Sequence, residues 1–264
     1  MMMAVPPRAI LQPRMIDMPR DPYKGEIIYN RHLHRNMHAI APYSRKGIPE
    51  VLYSDLLAVV AKMCKKRIAD GYQNIIGFVG RPGSGKSTGA IGIARLMDPE
   101  WDLEKNYIYS VDDLRKALSD GPSKRILLFD EASIILNSQN SRKSDDNEIV
   151  ALFDTLRSFG WTVILVLPSL KSLNKRVRDF HLDFLLACPE QSLLPGYDRR
   201  GQVELYLPKR GTFADDTFWS FAGAGIYPPL TEELDAIYQP IKRKHQVDYL
   251  AKFIEKGHNK GGLA

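Results

Sequence analysis

A glycine-rich loop between an apolar run and an amphipathic segment constrains the fold of this 264-residue chain more than any other feature. The apolar run, residues 74–79 (NIIGFV), leads directly into GRPGSGKS at residues 80–87. Ile91, Ile93 and Leu96 then follow as inward-facing positions of a helical segment. The sequence therefore predicts a strand over residues 74–79, a phosphate-binding loop, and a helix from Lys86 to residue 97.

The loop has the pattern G-x-x-x-x-G-K-[ST], which binds nucleotide phosphates. Successive backbone N–H groups wrap the phosphates, glycines permit the curvature, and the helix N-terminus adds positive polarity. Lys86 is predicted to bind the β- and γ-phosphates of ATP, and the Ser87 hydroxyl to ligate Mg²⁺. The residues predicted to bind the nucleotide are Gly80, Arg81, Pro82, Gly83, Ser84, Gly85, Lys86, Ser87 and Thr88.

Two adjacent acids end a second apolar run, residues 125–130 (RILLFD). Asp130 at the end of a buried strand is predicted to hold the magnesium ion through water. Glu131 is placed to orient and deprotonate a water that attacks the γ-phosphate, which favours hydrolysis over transfer to a bound acceptor. The alternative is that Glu131 caps a following helix.

Further candidates for the site come from later segments. The apolar run at residues 162–167 (TVILVL) precedes Pro168 and Ser169, so Ser169 is a candidate sensor of the γ-phosphate; a simple turn at Pro-Ser is the alternative. An arginine that neutralises transition-state charge is also expected, often from a neighbouring subunit. The candidates are Arg142, Arg157, Arg176 and Arg178.

Buried strands that alternate with helices predict an α/β fold, with a mainly parallel sheet covered by helices on both faces. Helices are expected over residues 54–69, 110–118 and 147–159, further strands over 107–109, 182–188 and 202–207, and a hairpin connection between the last two. Three segments are expected: a basic N-terminal arm (1–50) with little core of its own, a P-loop ATPase core (51–210), and a basic C-terminal extension (211–264). The extension should contain a helix over residues 232–256, broken at Pro240.

The charge distribution suggests a nucleic-acid partner. The chain carries a net charge of +6, and its basic residues gather before residue 50 and after residue 241. Lys242, Arg243 and Lys244 are each expected to contact one DNA phosphate, with a solvated helix face as the alternative. No apolar run approaches the ~18–20 residues that span a bilayer, so we expect an intracellular protein without a membrane segment.

The segment that begins LLFDEASIILNSQNSRKSDDNEIVALFDTLRSFGWTVILVLPS and continues to IYQPIKRKH resembles P-loop ATPases of archaeal and bacterial viruses and plasmids. These are similar to the zonula-occludens-toxin-like and FtsK–HerA-like ATPases. The matching positions are Asp130-Glu131-Ala132, Arg142, Arg157, Pro168-Ser169 and the segment from Asn174 to Arg178.

The resemblance implies a RecA-like fold and ATP-driven work on DNA, such as translocation, packaging or transfer. It also implies a homo-oligomer, commonly a ring, in the host cytoplasm or associated with a virion, with other viral or plasmid proteins as further partners. Two other functions stay open from the residues themselves. One is a small-molecule or nucleotide kinase, and the other is an ATP-dependent assembly switch that acts on a protein partner.

Overall fold

The computed structural model describes residues 26–119, 125–134, 153, 160–194, 197–210 and 217–258. Within them, ten strands form one sheet: β1 (Glu26–Asn30), β2 (Arg35–Arg45), β3 (Ile48–Tyr53), β4 (Asn74–Val79), β5 (Tyr107–Ile108), β6 (Ile126–Phe129), β7 (Thr162–Leu167), β8 (Phe184–Ala187), β9 (Gln202–Arg210) and β10 (Thr217–Ile226). The helices that position the site are α1 (Leu56–Ala69), α2 (Lys86–Met97), α3 (Leu103–Asn106), α4 (Val111–Ser119) and α5 (Glu232–His258).

One half of the sheet is parallel, in the order β8-β4-β7-β6-β5. Its central strand β4 alternates between two apolar layers. Ile76 and Phe78 pack on one face with residues of α1 and α2, whereas Ile75 packs on the other face with residues of α4. Burial on both faces explains why these strands are continuous apolar runs, and it confirms the predicted α/β P-loop fold.

The other half of the sheet is mixed, and it corrects the expectation for the N-terminus. Strands β1, β2 and β3 pair antiparallel, and β3 then pairs parallel with β10. Met37 and Leu52 are completely buried. The prediction of an arm with little core of its own is therefore wrong for residues 26–50, while residues 1–25 lie outside the described part of the chain.

A buried polar side chain fixes these added strands to the centre of the sheet. The Asn30 amide nitrogen donates to the Ala222 carbonyl at 3.0 Å. Its amide oxygen accepts from the backbone N–H groups of His32 and Leu33 at 2.9 and 2.8 Å, which shapes the turn between β1 and β2. Both polar atoms of this buried side-chain amide thus find partners, as buried amides require.

The C-terminal segment also differs from the expectation. Strand β10 lies inside the sheet, between β3 and β9. Helix α5 runs through Pro240 without a break, although a proline removes one helical hydrogen bond. Side-chain contacts of Tyr238 and His245 hold α5 on either side of that position.

The proposed domain limits at residues 50 and 210 stay a prediction, and the described sheet crosses both. Within the described residues, no helix combines the length and the apolar character needed to span a membrane.

Candidate phosphate-binding site

The phosphate loop lies between the end of β4 and the start of α2, at the carboxyl edge of the parallel strands. Gly83 and Gly85 have φ angles of 74° and 91°, a backbone region that side chains other than glycine rarely adopt. The Gly85 carbonyl accepts a hydrogen bond from the buried Tyr227 hydroxyl at 3.0 Å. The end of β10, which Tyr227 follows, therefore supports the loop from behind.

The loop and its surroundings form a cleft of about 470 Å³. That volume is within the usual range of small-molecule sites, ~300–1,000 Å³. Of the residues predicted to bind the nucleotide, six line the cleft: Pro82, Gly83, Gly85, Lys86, Ser87 and Thr88. Gly80, Arg81 and Ser84 belong to the same loop: Ser84 is buried beneath it, and Arg81 pairs with Glu190 at 3.0 Å.

Lys86 is held by its own loop. Its ammonium group donates to the Arg81 carbonyl at 2.9 Å. Burial lowers the pKa of Lys86 from its usual value, and nearby Lys242 lowers it further, whereas the carboxylates of Asp130 and Glu131 oppose that shift. The lysine side chain thus lies within electrostatic reach of Asp130, the predicted metal-binding acid, and of Glu131, the predicted catalytic base.

The magnesium-binding residues predicted from the sequence lie together. The Ser87 hydroxyl donates to Asp130 Oδ1 at 2.9 Å, across the cleft from α2 to the end of β6. Asp130 is 3% exposed, so its carboxylate is held away from bulk water. A hydroxyl and a carboxylate in contact are the oxygen ligands that Mg²⁺ takes when waters and phosphates complete its octahedral shell. The donor set therefore fits the ion.

Two tyrosines hold the other oxygen of Asp130. The hydroxyl groups of Tyr107 and Tyr238 donate to Oδ2 at 2.8 and 3.0 Å. Burial, with the neighbouring Asp130 charge, raises the pKa of both tyrosines, so both remain protonated donors at neutral pH. Sequence analysis identified neither residue, because Tyr238 lies 108 positions from Asp130 in the chain.

Glu131 lies on the wall of the same cleft and is exposed. Its φ angle is 56°, a left-handed conformation that costs a residue with a side chain of order 1–3 kcal/mol. A short 3-10 turn, Ala132–Ile134, follows it. Strained residues of this kind cluster at functional sites, which supports a role for Glu131 in the cleft.

Strand β7 lies between β4, which precedes the phosphate loop, and β6, which ends just before Asp130. Leu167 and Pro168 at its end line the cleft. Ser169 is exposed, its hydroxyl accepts from the Lys171 N–H at 3.3 Å, and its carbonyl accepts from the Ser172 hydroxyl at 2.6 Å. These bonds form a turn, the alternative raised above, and the role of Ser169 as a phosphate sensor stays a prediction.

Of the four predicted arginines, the two that the structure describes, Arg176 and Arg178, do not line the cleft. Arg142 and Arg157 lie outside the described residues. Arg178 pairs with the buried Asp179 at 3.0 Å. Within the described part of the chain, Arg200 lines the cleft from the connection between β8 and β9, where no sequence motif pointed to it.

Helix α5 supplies the rest of the wall, which sequence analysis also missed. Tyr238, Lys242 and Gln246 follow at steps of four residues and line the cleft together with Gln239. The helix rests on the β5 edge, where the His245 ring stacks on Tyr109 with centroids 4.7 Å apart. Lys242, one of the three adjacent basic residues expected to contact DNA, therefore lines the cleft, and its contact with DNA stays a prediction.

Residues 100–183 match the sequence model of the Zonular occludens toxin (Zot) family. This segment contains the acids Asp130 and Glu131 and the strand β7, so the resemblance to zonula-occludens-toxin-like ATPases is confirmed there. The matched part spans about a third of the chain, and the phosphate loop lies before it. No curated protein matches the sequence.

Solved structures with some likeness to the chain include two P-loop proteins. The genome packaging NTPase B204 from Sulfolobus turreted icosahedral virus 2, in complex with ATP-gammaS, has a TM-score of 0.38 and 14% identity, over 60% of this chain and 98% of that one. The N-terminal domain of zonular occludens toxin from Neisseria meningitidis has a TM-score of 0.37 and 15% identity, over 62% and 98%. Likenesses this weak do not bear on what this chain binds.

Proposed function

We propose that this protein binds ATP with magnesium in the cleft, hydrolyses it, and uses the reaction to act on DNA. The observation that carries the proposal is the contact between Ser87 and Asp130 at 2.9 Å, with Glu131 beside it on the cleft wall. A hydroxyl and a carboxylate of this kind hold Mg²⁺ in P-loop NTPases.

Each residue then has a distinct task in hydrolysis. Lys86 releases the Arg81 carbonyl and binds the β- and γ-phosphates, while the N–H groups of the loop wrap them. Ser87 and Asp130 would hold the magnesium ion, which would supply positive charge next to the phosphate oxygens. Glu131 accepts a proton from water as that water bonds to the γ-phosphorus, and the bond to the ADP oxygen breaks.

Work on DNA is proposed from the family resemblance and from the charge of the chain. Arg243 and Lys244 are exposed on α5, adjacent to the residues that line the cleft. Exposed basic residues on one helix suit the phosphate backbone of DNA without sequence preference. A neighbouring subunit that supplies Arg142 or Arg157 would complete each site, as the resemblance to ring-forming ATPases implies.

The decisive experiment measures ATP consumption by the wild type and by Lys86→Ala, each with and without double-stranded and single-stranded DNA. The wild type should hydrolyse ATP in the presence of magnesium, and DNA should raise the rate of hydrolysis. Lys86→Ala should show neither hydrolysis nor a response to DNA. Turnover that requires a small acceptor would instead indicate a kinase, and tight binding without turnover would indicate an assembly switch. Unchanged binding and turnover in a folded Lys86→Ala would refute the nucleotide site.

A further inference from the structure

Helix α5 places a second lysine at the cleft. Lys242 lines the same cleft as the phosphate loop, and it is half-buried. Its ammonium group lies 5.4 Å from the centroid of the Tyr238 ring, one helical turn earlier. Tyr238 is itself fixed by its hydrogen bond to Asp130, so Lys242 projects from a helical turn that is tied to the magnesium-binding acid.

Among the described residues, no carboxylate partner explains the position of Lys242. Across the residues that the structure describes, no salt bridge joins it to an acidic side chain. Lys242 and Lys86 line the same cleft, so two ammonium groups from distant parts of the chain share it. A polyphosphate with its magnesium ion matches this lining, since the two ammonium groups attract the phosphates and the carboxylates of Asp130 and Glu131 attract the cation.

We propose that Lys242 is a second phosphate ligand, supplied by the same chain, that binds the terminal phosphate of ATP. The inference rests on the proposed nucleotide site. It adds to that site a residue that belongs neither to the glycine-rich loop nor to the Asp130-Glu131 motif. ATP carries more negative charge than ADP at its phosphate end. A lysine that binds the γ-phosphate therefore favours ATP over ADP, whereas the loop that binds the β-phosphate serves both nucleotides.

The test compares the equilibrium affinities of labelled ATP and ADP analogues for Lys242→Ala, Lys242→Gln and Lys242→Arg, without DNA. The charge-removing variants should lose about 10- to 100-fold in ATP affinity, as expected for one charged hydrogen bond, with little change for ADP. Lys242→Arg should retain most of the preference for ATP. Lys242→Gln keeps the length and helix propensity of the side chain, so it answers the question if the alanine variant folds poorly.

Lys62→Ala is the matched control, since it removes an exposed helical lysine of α1 that does not line the cleft. It should bind both nucleotides like the wild type. Wild-type affinities in Lys242→Gln, or equal losses for ATP and ADP, would overturn the inference. Lys86→Ala separates the two ways in which such a negative result can arise. Loss of binding in Lys86→Ala would show that only the role of Lys242 is wrong, and binding that persists would show that the nucleotide site is wrong as well.

Discussion

Two glycines of helix α2 should respond in opposite ways to the same substitution. A Cβ atom on Gly89 would lie 2.8 Å from Phe78 Cε1 and 3.0 Å from Tyr227 Cζ, whereas one on Gly92 would meet no atom within 4 Å. Phe78 is completely buried and Tyr227 is 7% exposed. Neither ring has free space to move into, because protein interiors are close-packed.

The magnitude follows from two opposing terms. Alanine in place of glycine stabilises a helix by about 1 kcal/mol at either position. At Gly89 the extra methyl group also overpacks the contact with two aromatic rings, which costs about 1–3 kcal/mol. The common helix term cancels when the two variants are compared. Gly89→Ala should therefore have a free energy of unfolding about 1–3 kcal/mol below that of Gly92→Ala.

Urea unfolding followed by circular dichroism measures this difference directly. Gly92→Ala should unfold at a higher urea concentration than the wild type and Gly89→Ala at a lower or equal one. Because the Tyr227 hydroxyl donates to the Gly85 carbonyl, Gly89→Ala should also weaken ATP binding, while Gly92→Ala should not. Equal stability of the two variants would refute the close packing of α2 against Phe78 and Tyr227.

Three further predictions concern DNA, assembly and pH. Replacing Arg243 and Lys244 by alanine should flatten the slope of log DNA affinity against log salt by about 2 on duplex DNA, and an unchanged slope would leave them as a solvated face. Mixing Lys86→Ala subunits with subunits that carry Arg142→Ala or Arg157→Ala should partly restore ATPase activity if an arginine acts in trans, whereas full activity of a strict monomer would exclude it. Because burial lowers the pKa of Lys86 and its charged form binds phosphate, ATP affinity should fall with rising pH before the usual lysine value of 10.5 is reached. Constant affinity up to that pH, with the fold intact by circular dichroism, would contradict the burial of Lys86.

The parts of the fold that sequence analysis predicted correctly depend on local signals. Strand β4 and helix α2 occupy the predicted residues, since the glycine loop between them sets both limits. Helix α4 begins after a capping box: the Asp113 carboxylate accepts from the Ser110 N–H at 2.9 Å, and the Ser110 hydroxyl accepts from the Asp113 N–H at 3.1 Å. Such contacts lie within a few residues, so the sequence pattern contains them.

The N-terminal strands escaped prediction because their apolar alternation is weak. A β-bulge shifts the register of β2 between Ala39 and Ala41, and Pro42 follows it. Strand β3 joins them to the rest of the sheet by pairing with β10, far along the chain. Long-range pairing of this kind leaves no periodic signal within one segment.

The same limit applies to the candidate site. The loop residues and Asp130 belong to motifs, and the structure brings Ser87 and Asp130 into contact as predicted. Tyr238 and Lys242 reach the cleft only because α5 packs across the sheet edge. No spacing in the sequence of α5 distinguishes a helix face that lines a cleft from one that faces solvent. The positions of Tyr238 and Lys242 at the cleft could therefore be identified only from the structure.

The most direct test of ATP hydrolysis in this cleft is the turnover of Glu131→Gln at saturating ATP and magnesium, measured beside its ATP affinity. The carboxamide keeps the size of the side chain but cannot accept the proton from water. Turnover should fall by about 10²-fold or more while affinity stays near that of the wild type. Hydrolysis at the wild-type rate with ATP still bound would contradict the assignment of Glu131 as the catalytic base.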